Sequence, residues 1–272
     1  MIFFTYVYIN LKNKGKIFIN IFATIRNYSI FVVLYKSYIM LEKELQFERD
    51  IFFFLNGSES TLLDNFFYIY TNKWTWLLLY LCFLWVFTYK KNWKEIVCVI
   101  LSVSLLIFFT EQISSGFFKP FFHRFRPSQH PDFMDQVKII FNYRGGLYGF
   151  ISSHAANSFG FATFCALIFR NKLFSCTIFL FAFLNAYSRI YIGVHFISDV
   201  IIGAFVGATI AIFIYMLYNW VRRRWIFIEG NKFEKPLYSV KESYFLCGVF
   251  YLYLFIMLTF NSQLITIMFQ NR

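Results

Sequence analysis

Charge is scarce in this chain. Only 15% of its 272 residues are Asp, Glu, Lys or Arg, well under the share of about a quarter in soluble domains. A water-soluble protein of this length would need more charge to cover its surface, so the pattern argues against a soluble globule. Acidic residues are the rarer sign, 14 against 26 basic ones, leaving a net charge of +12. Histidine occurs four times, always between His123 and His195. Proline also occurs four times; Pro120, Pro127 and Pro131 share one loop and Pro236 lies in another, so prolines mark connections rather than interrupting apolar runs. The five cysteines lie in apolar stretches with no C-x-x-C, which gives no disulfide framework or redox pair and leaves them as packing residues. No G-x-S-x-G is present, which speaks against a serine hydrolase built on a nucleophile elbow.

What fills the chain is apolar: 59% hydrophobic and 24% aromatic residues, with a mean hydropathy of +0.56. Six apolar segments stand out, at about 74–89, 96–117, 155–169, 173–190, 197–219 and 244–260, most approaching the 17–25 residues needed to cross a hydrocarbon core. The first can begin earlier, near Leu62, as one longer helix. The expected fold is all-α, a polytopic membrane bundle of about six transmembrane helices. Leu41, Leu45, Phe47, Ile51 and Phe54 predict an N-terminal interfacial helix ended by Asn56-Gly57. Residues 1–39 read as an extension, either an extra membrane helix or, as favoured here, a stretch upstream of a start at Met40. No cleavable signal peptide is evident. Residues 40–272 are expected to form one domain.

The positions of the cations matter more than their sum. Connectors 89–95, 170–172 and 220–243 are rich in Lys and Arg, which the positive-inside rule assigns to the cytoplasm rather than to nucleic acid. The alternating connectors, 118–154 and 190–196, then face outward. Trp74 and Trp76 would anchor the outer interface, and Trp93, Trp220 and Trp225 the inner one. Gly203 and Gly207 form a small-xxx-small stripe that lets another helix approach the fifth segment closely.

Three polar blocks border the outward connectors: Lys119-x6-Arg126-Pro127, Ser152-Ser153-His154, and Ser188-Arg189-x5-His195-x3-Asp199. Asp199 lies four residues after His195, so on a helix the two share a face, and the carboxylate can fix the imidazole tautomer and leave the other nitrogen as a nucleophile. Arg189 can put a bidentate fork on phosphate oxygens. Ser152-Ser153-His154 opens a membrane helix, whose N-terminus suits an anion, although a serine there can equally be a simple cap. His154 at that position fits a general acid beside a bound phosphate. Lys119 and Arg126 lie in a loop where topology disfavours cations, with Arg124 and Arg144 nearby; the latter two read more as ordinary loop basics.

Together the blocks resemble the signature of the type 2 phosphatidic acid phosphatase superfamily, which includes the vanadium haloperoxidases. The first and third blocks match in full; in the second, Ile151 stands where the family has proline and Ser153 where it has glycine. The resemblance implies that His195 attacks phosphorus to form a phosphohistidine, that Asp199 supports it, and that His154 protonates the leaving oxygen. It also implies that Lys119, Arg126, Arg189, Ser152 and Ser153 hold the phosphoryl oxygens. No metal or other cofactor is expected; His123, His130, Asp132 and Asp135 match no metal spacing. The implied substrate is a membrane lipid phosphate or pyrophosphate on the extracytoplasmic side of a bacterial inner membrane. The loop His123-Arg-Phe-Arg-Pro and Tyr143-Arg-Gly-Gly resembles undecaprenyl-pyrophosphate and lipid A phosphatases. The sequence leaves the oligomeric state open. Two competing readings are a vanadate-dependent haloperoxidase, against which the apolar segments count, and a transporter with an anion-binding vestibule. The latter predicts charges deep in the bilayer, and the segments have almost none beyond Glu111 near an outer end.

Overall fold

The computed structural model describes residues 46–225 and 237–270; the expectations for residues 1–39 and for the first turn of the interfacial helix lie outside these. The chain divides into two compact units, Met1–Phe53 and Phe54–Arg272. The described part of the first, residues 46–53, is helical, and the helix α1 runs over 46–56 and ends at Asn56. All that follows concerns the second unit.

Its helices are α2 (Thr61–Thr71), α3 (Leu77–Thr88), α4 (Trp93–Phe122), α5 (Ser153–Phe169), α6 (Lys172–Tyr191), α7 (Ile197–Trp225), α8 (Val240–Thr259) and α9 (Asn261–Gln270). No named strand occurs among the described residues. The fold is the expected all-α membrane bundle. Four of the helices, α4, α6, α7 and α8, are long and apolar enough to cross a bilayer by length and composition. The remaining two expected spans correspond to the shorter apolar helix over Lys73–Thr88 and to the 17-residue α5. α5 carries Ser153, Asn157, Ser158 and Gly160 and meets other helices rather than lipid, packing on α4, α6 and α7. A helix surrounded by helices need not look like a lipid-facing one.

Two expectations are corrected. The first segment does not extend back to Leu62 as one helix. Asn72 takes an extended conformation and its side chain accepts from the Trp74 amide, ending α2 and starting a 3-10 turn over Lys73–Trp76. Trp76 is not an interfacial anchor: it is 1% exposed, donates its indole N–H to the Tyr70 carbonyl at 2.7 Å, and packs edge-on against Phe181. Trp74, Trp93 and Trp220 do lie exposed.

The closest packing in the bundle is between α5 and α7. A Cβ at Gly207 would lie 2.0 Å from the Ala156 carbonyl oxygen, and one at Gly203 would lie 2.6 Å from that of Ser152. Gly160 answers from α5, where an added Cβ would lie 3.1 Å from the Gly207 carbonyl oxygen. The expected small-residue stripe therefore works as a backbone-to-backbone contact. At the cation-rich end of the bundle, Arg222 is buried and donates to Glu95 at 2.5 Å, with the Tyr218 hydroxyl on the other carboxylate oxygen. Arg222, read in sequence as a topology signal alone, thus also ties the end of α7 to the start of α4.

A side chain at Gly207 would force α5 and α7 apart. Gly207→Ala should cost about 1–3 kcal/mol of stability by overpacking and lower the thermal midpoint in detergent. Gly248→Ala, which meets nothing within 4 Å, should leave the midpoint unchanged. Equal melting of the two variants would contradict the close contact.

Candidate active site

All three blocks converge where α4 and α6 end and where α5 and α7 begin, opposite the end carrying Lys90, Lys91, Arg170 and Arg222. Gly193, with φ of +80°, makes the turn between α6 and α7. A side chain there would strike Val137 at 2.7 Å, so a glycine is needed both for the backbone and for the covering loop. The turn delivers His195, 1% exposed, to the short stretch just before α7 begins at Ile197.

His195 Nδ1 faces Asp199 Oδ2 at 3.4 Å, and its Nε2 lies 3.3 Å from Arg126 Nη1. The Asp199 carboxylate is fully used. Oδ2 also accepts the Phe196 amide at 3.0 Å, and Oδ1 accepts from Arg124 at 2.7 Å. Arg124, which sequence reasoning set aside as a loop cation, is therefore the counter-charge of the buried aspartate, and its guanidinium also lies over the Phe196 ring. Arg144 instead holds the loop itself, through the carbonyl of Ser128.

Arg126 is fixed by its Nε donating to the Tyr148 carbonyl at 3.1 Å. Gly145 and Gly149 leave room for it: a Cβ at Gly149 would sit 3.1 Å from Arg126 Cγ and 3.2 Å from Asp199 Oδ2. Arg189 is 2% exposed, donating to Thr71 Oγ1 at 2.6 Å and to the Tyr143 hydroxyl at 3.2 Å. Its Nε–H finds no acceptor among the described residues. A buried guanidinium donor without a protein acceptor is chemically suited to an anion's oxygen.

Lys119 Nζ donates to Ser153 Oγ and to Ser115 Oγ, each at 2.7 Å. Ser152 caps α5 through the Ala155 amide and is fully buried, while its own amide donates to the Asp199 carbonyl at 3.0 Å, joining α5 to α7. His154 is half-buried on the first turn of α5. The peptide bond before Ile151, the residue in place of the family proline, is cis. His123 packs against Tyr148, and His130 stacks on Phe133.

Burial, reinforced by the charges of Arg126, Arg189, Lys119 and Arg124, pushes the His195 pKa well below its ordinary value. Burial and then Arg189 bring Arg126 down to about 10. Tyr143 would be raised by burial, but the charge and hydrogen bond of Arg189 together with Arg126 leave it lowered. A concentration of positive charge around one neutral imidazole is an arrangement completed by a phosphate-like anion. With Nδ1–H directed at Asp199, Nε2 carries the lone pair, which lies against the Arg126 guanidinium.

Fold and site together define a membrane helix bundle with a cation-rich cluster around a buried His–Asp pair at one end. The PAP2 superfamily model matches residues 96–223. The lipid A 4'-phosphatase of Porphyromonas gingivalis is 49% identical over 186 residues, 68% of this chain and 79% of the relative. A lipid A 4'-phosphatase of Bacteroides thetaiotaomicron is 36% identical over 169 residues, 62% of this chain and 75% of the relative. A crystal structure of a PAP2-type phosphatidylglycerolphosphate phosphatase from Bacillus subtilis has the same fold, with a TM-score of 0.50 at 17% identity over 74% of this chain and 96% of that one. The chain belongs to the PAP2 superfamily.

The lowered His195 pKa fixes its protonation in the anion-free protein. Lowering a histidine pKa keeps the neutral form at more acidic pH, so the His195 signal, assigned by substitution in 13C-histidine-labelled protein, should titrate below about 6.5. A midpoint at or above that value would contradict the charge environment described.

Proposed function

We propose that this membrane phosphatase removes a phosphate from a glycolipid of the lipid A type at the extracytoplasmic face of a bacterial inner membrane. The observation that carries the reading is the convergence of Lys119, Arg126 and Arg189 on a buried His195–Asp199 pair at a helix-bundle end. Relatives named for lipid A 4'-phosphatase activity favour lipid A over a polyprenyl pyrophosphate as the substrate. The cation-rich connectors at the opposite end support an outward-facing site.

In the proposed sequence, the phosphoryl group sits among Lys119, Arg126 and Arg189, with the unused Arg189 Nε–H supplying one of its donors. His195 Nε2 attacks phosphorus, the P–O bond to the lipid breaks, and His154 transfers its proton to the departing oxygen. The Nδ1 proton of His195 stays directed at Asp199, which stabilises the positive imidazole of the phosphohistidine. His154, now neutral, takes a proton from water, which attacks phosphorus and releases inorganic phosphate and free His195. The cations balance charge on the equatorial oxygens throughout. Ser152, buried as a helix cap, contributes through the placement of the α5 start. The domain proposed for the activity is 40–272.

Purified protein in detergent with EDTA, offered lipid A, undecaprenyl pyrophosphate, phosphatidylglycerophosphate and phosphatidate, should release phosphate fastest from lipid A. His195→Ala should lose at least about a thousandfold in rate, the order expected for removing a nucleophile. Preference for the pyrophosphate would overturn the substrate assignment, and full activity of His195→Ala would overturn the nucleophile.

A further inference from the structure

One carboxylate of the membrane helix α4 has no part in the chemistry above. Glu111, Ser115 and Lys119 are spaced four residues apart and so form a stripe on one helix face. The helix is π-wound over Gln112–Phe118, and there Ser114 and Ser115 both reach Ser153 at the start of α5, at 2.9 and 3.0 Å. Such a bulge turns adjacent side chains toward one partner, which a regular α-helix would not do.

The hydrogen bonds have a fixed direction. Lys119 Nζ can only donate, and it does so to Ser115 and Ser153, each at 2.7 Å. The Glu111 carboxylate can only accept; it takes the Ser115 hydroxyl at 2.6 Å on Oε1 and the Asn157 amide at 3.3 Å on Oε2. Ser115 has a single proton, directed to Glu111, so its contact with Ser153 must be donated by Ser153. Ser153 therefore accepts from Lys119 and Ser114 and donates its own proton to Ser115 Oγ, which in turn donates to Glu111. Asn157 is fixed in turn by Thr110 at 2.5 Å.

From this geometry we infer that Glu111 is a positioning residue for Lys119, acting through Ser115, and that Ser153 serves this ladder rather than donating to phosphate. The inference deepens the phosphatase reading and rests on it for the identity of the bound anion. A hydroxyl at the position where the family signature has glycine gives Lys119 a second anchor. The ladder holds the ammonium at the α5 N-terminus, ready for the phosphoryl oxygens, and a carboxylate at its far end orders every proton between.

The test uses the full chain in detergent, with orthovanadate as the phosphate-like probe. Its Kd is measured by calorimetry alongside thermal melting and phosphate release. Ser115→Ala and Glu111→Ala should each weaken orthovanadate binding about tenfold, the loss expected for one charge-assisted hydrogen bond, with the melting midpoint retained. Glu111→Gln, which can still accept from Ser115, should recover most of the binding. The double variant should bind no more weakly than either single one, and in a Lys119→Ala background neither change should matter. Additive losses, losses that persist without Lys119, or unchanged binding would each overturn the inference. If Glu111→Ala does not fold, Ser115→Ala with and without Lys119 decides the matter alone. A wild type that releases no phosphate would sink the phosphatase reading; turnover with unaltered Ser115→Ala binding would sink this inference only.

Discussion

Backbone contact between α5 and α7 is the constraint on which the site depends. Glycines at 203 and 207 allow the α7 backbone to lie against the Ser152 and Ala156 carbonyls. That approach lets the Ser152 amide donate to the Asp199 carbonyl. Two helix starts are thereby locked side by side, one carrying Ser153 and His154 and the other following directly on His195. Helix N-termini carry partial positive charge, so pairing two of them at one end of a bundle favours an anion before any side chain is counted.

The side chains then add a dense positive field in a place where burial makes charge costly. Four cations act on His195, and a single aspartate answers them from beneath. The cations around His195 outnumber the one aspartate among them, and Arg189 Nε has no acceptor among the described residues. Arg124 is paired with that aspartate, and the other three are tied to a carbonyl, a hydroxyl or a phenol: Arg126 to Tyr148, Lys119 to two serines, Arg189 to Thr71 and Tyr143. At the other end of the bundle the Glu95–Arg222 pair has no such surplus and serves to join helices.

Much of this was legible in the sequence because the chemistry sits on short, regular spacings. The Gly203–Gly207 stripe and the apolar segments follow from helix geometry alone; His195 meets Asp199 as the i, i+4 spacing suggested, but from the stretch just before α7 rather than from a shared helix face. What escaped depends on contacts between distant loops. Arg124 looks like any loop cation until the fold sets it beside Asp199, 75 residues away. Tyr143 and Thr71 hold Arg189 from 46 and 118 residues away. The break between α2 and α3 did carry a local signal, the capping Asn72, but the surrounding apolar run obscured it. Trp76 was misplaced because an interfacial and a buried tryptophan look alike in sequence; its indole partner, the Tyr70 carbonyl, decides the matter. The ladder from Glu111 through Ser115 to Lys119 had the right spacing, yet its meaning required knowing that Ser153 lies against it.

The account turns on one atom, His195 Nε2, which lies against Arg126 and is the nucleophile of the proposed mechanism. A crystal structure of the protein soaked with orthovanadate shows this most directly. Vanadium should be bonded axially to His195 Nε2, with oxygens on Lys119, Arg126 and Arg189 and His154 beside the opposite axial oxygen. Vanadate bound elsewhere, or held among these cations with Nε2 turned away from it, would contradict the account.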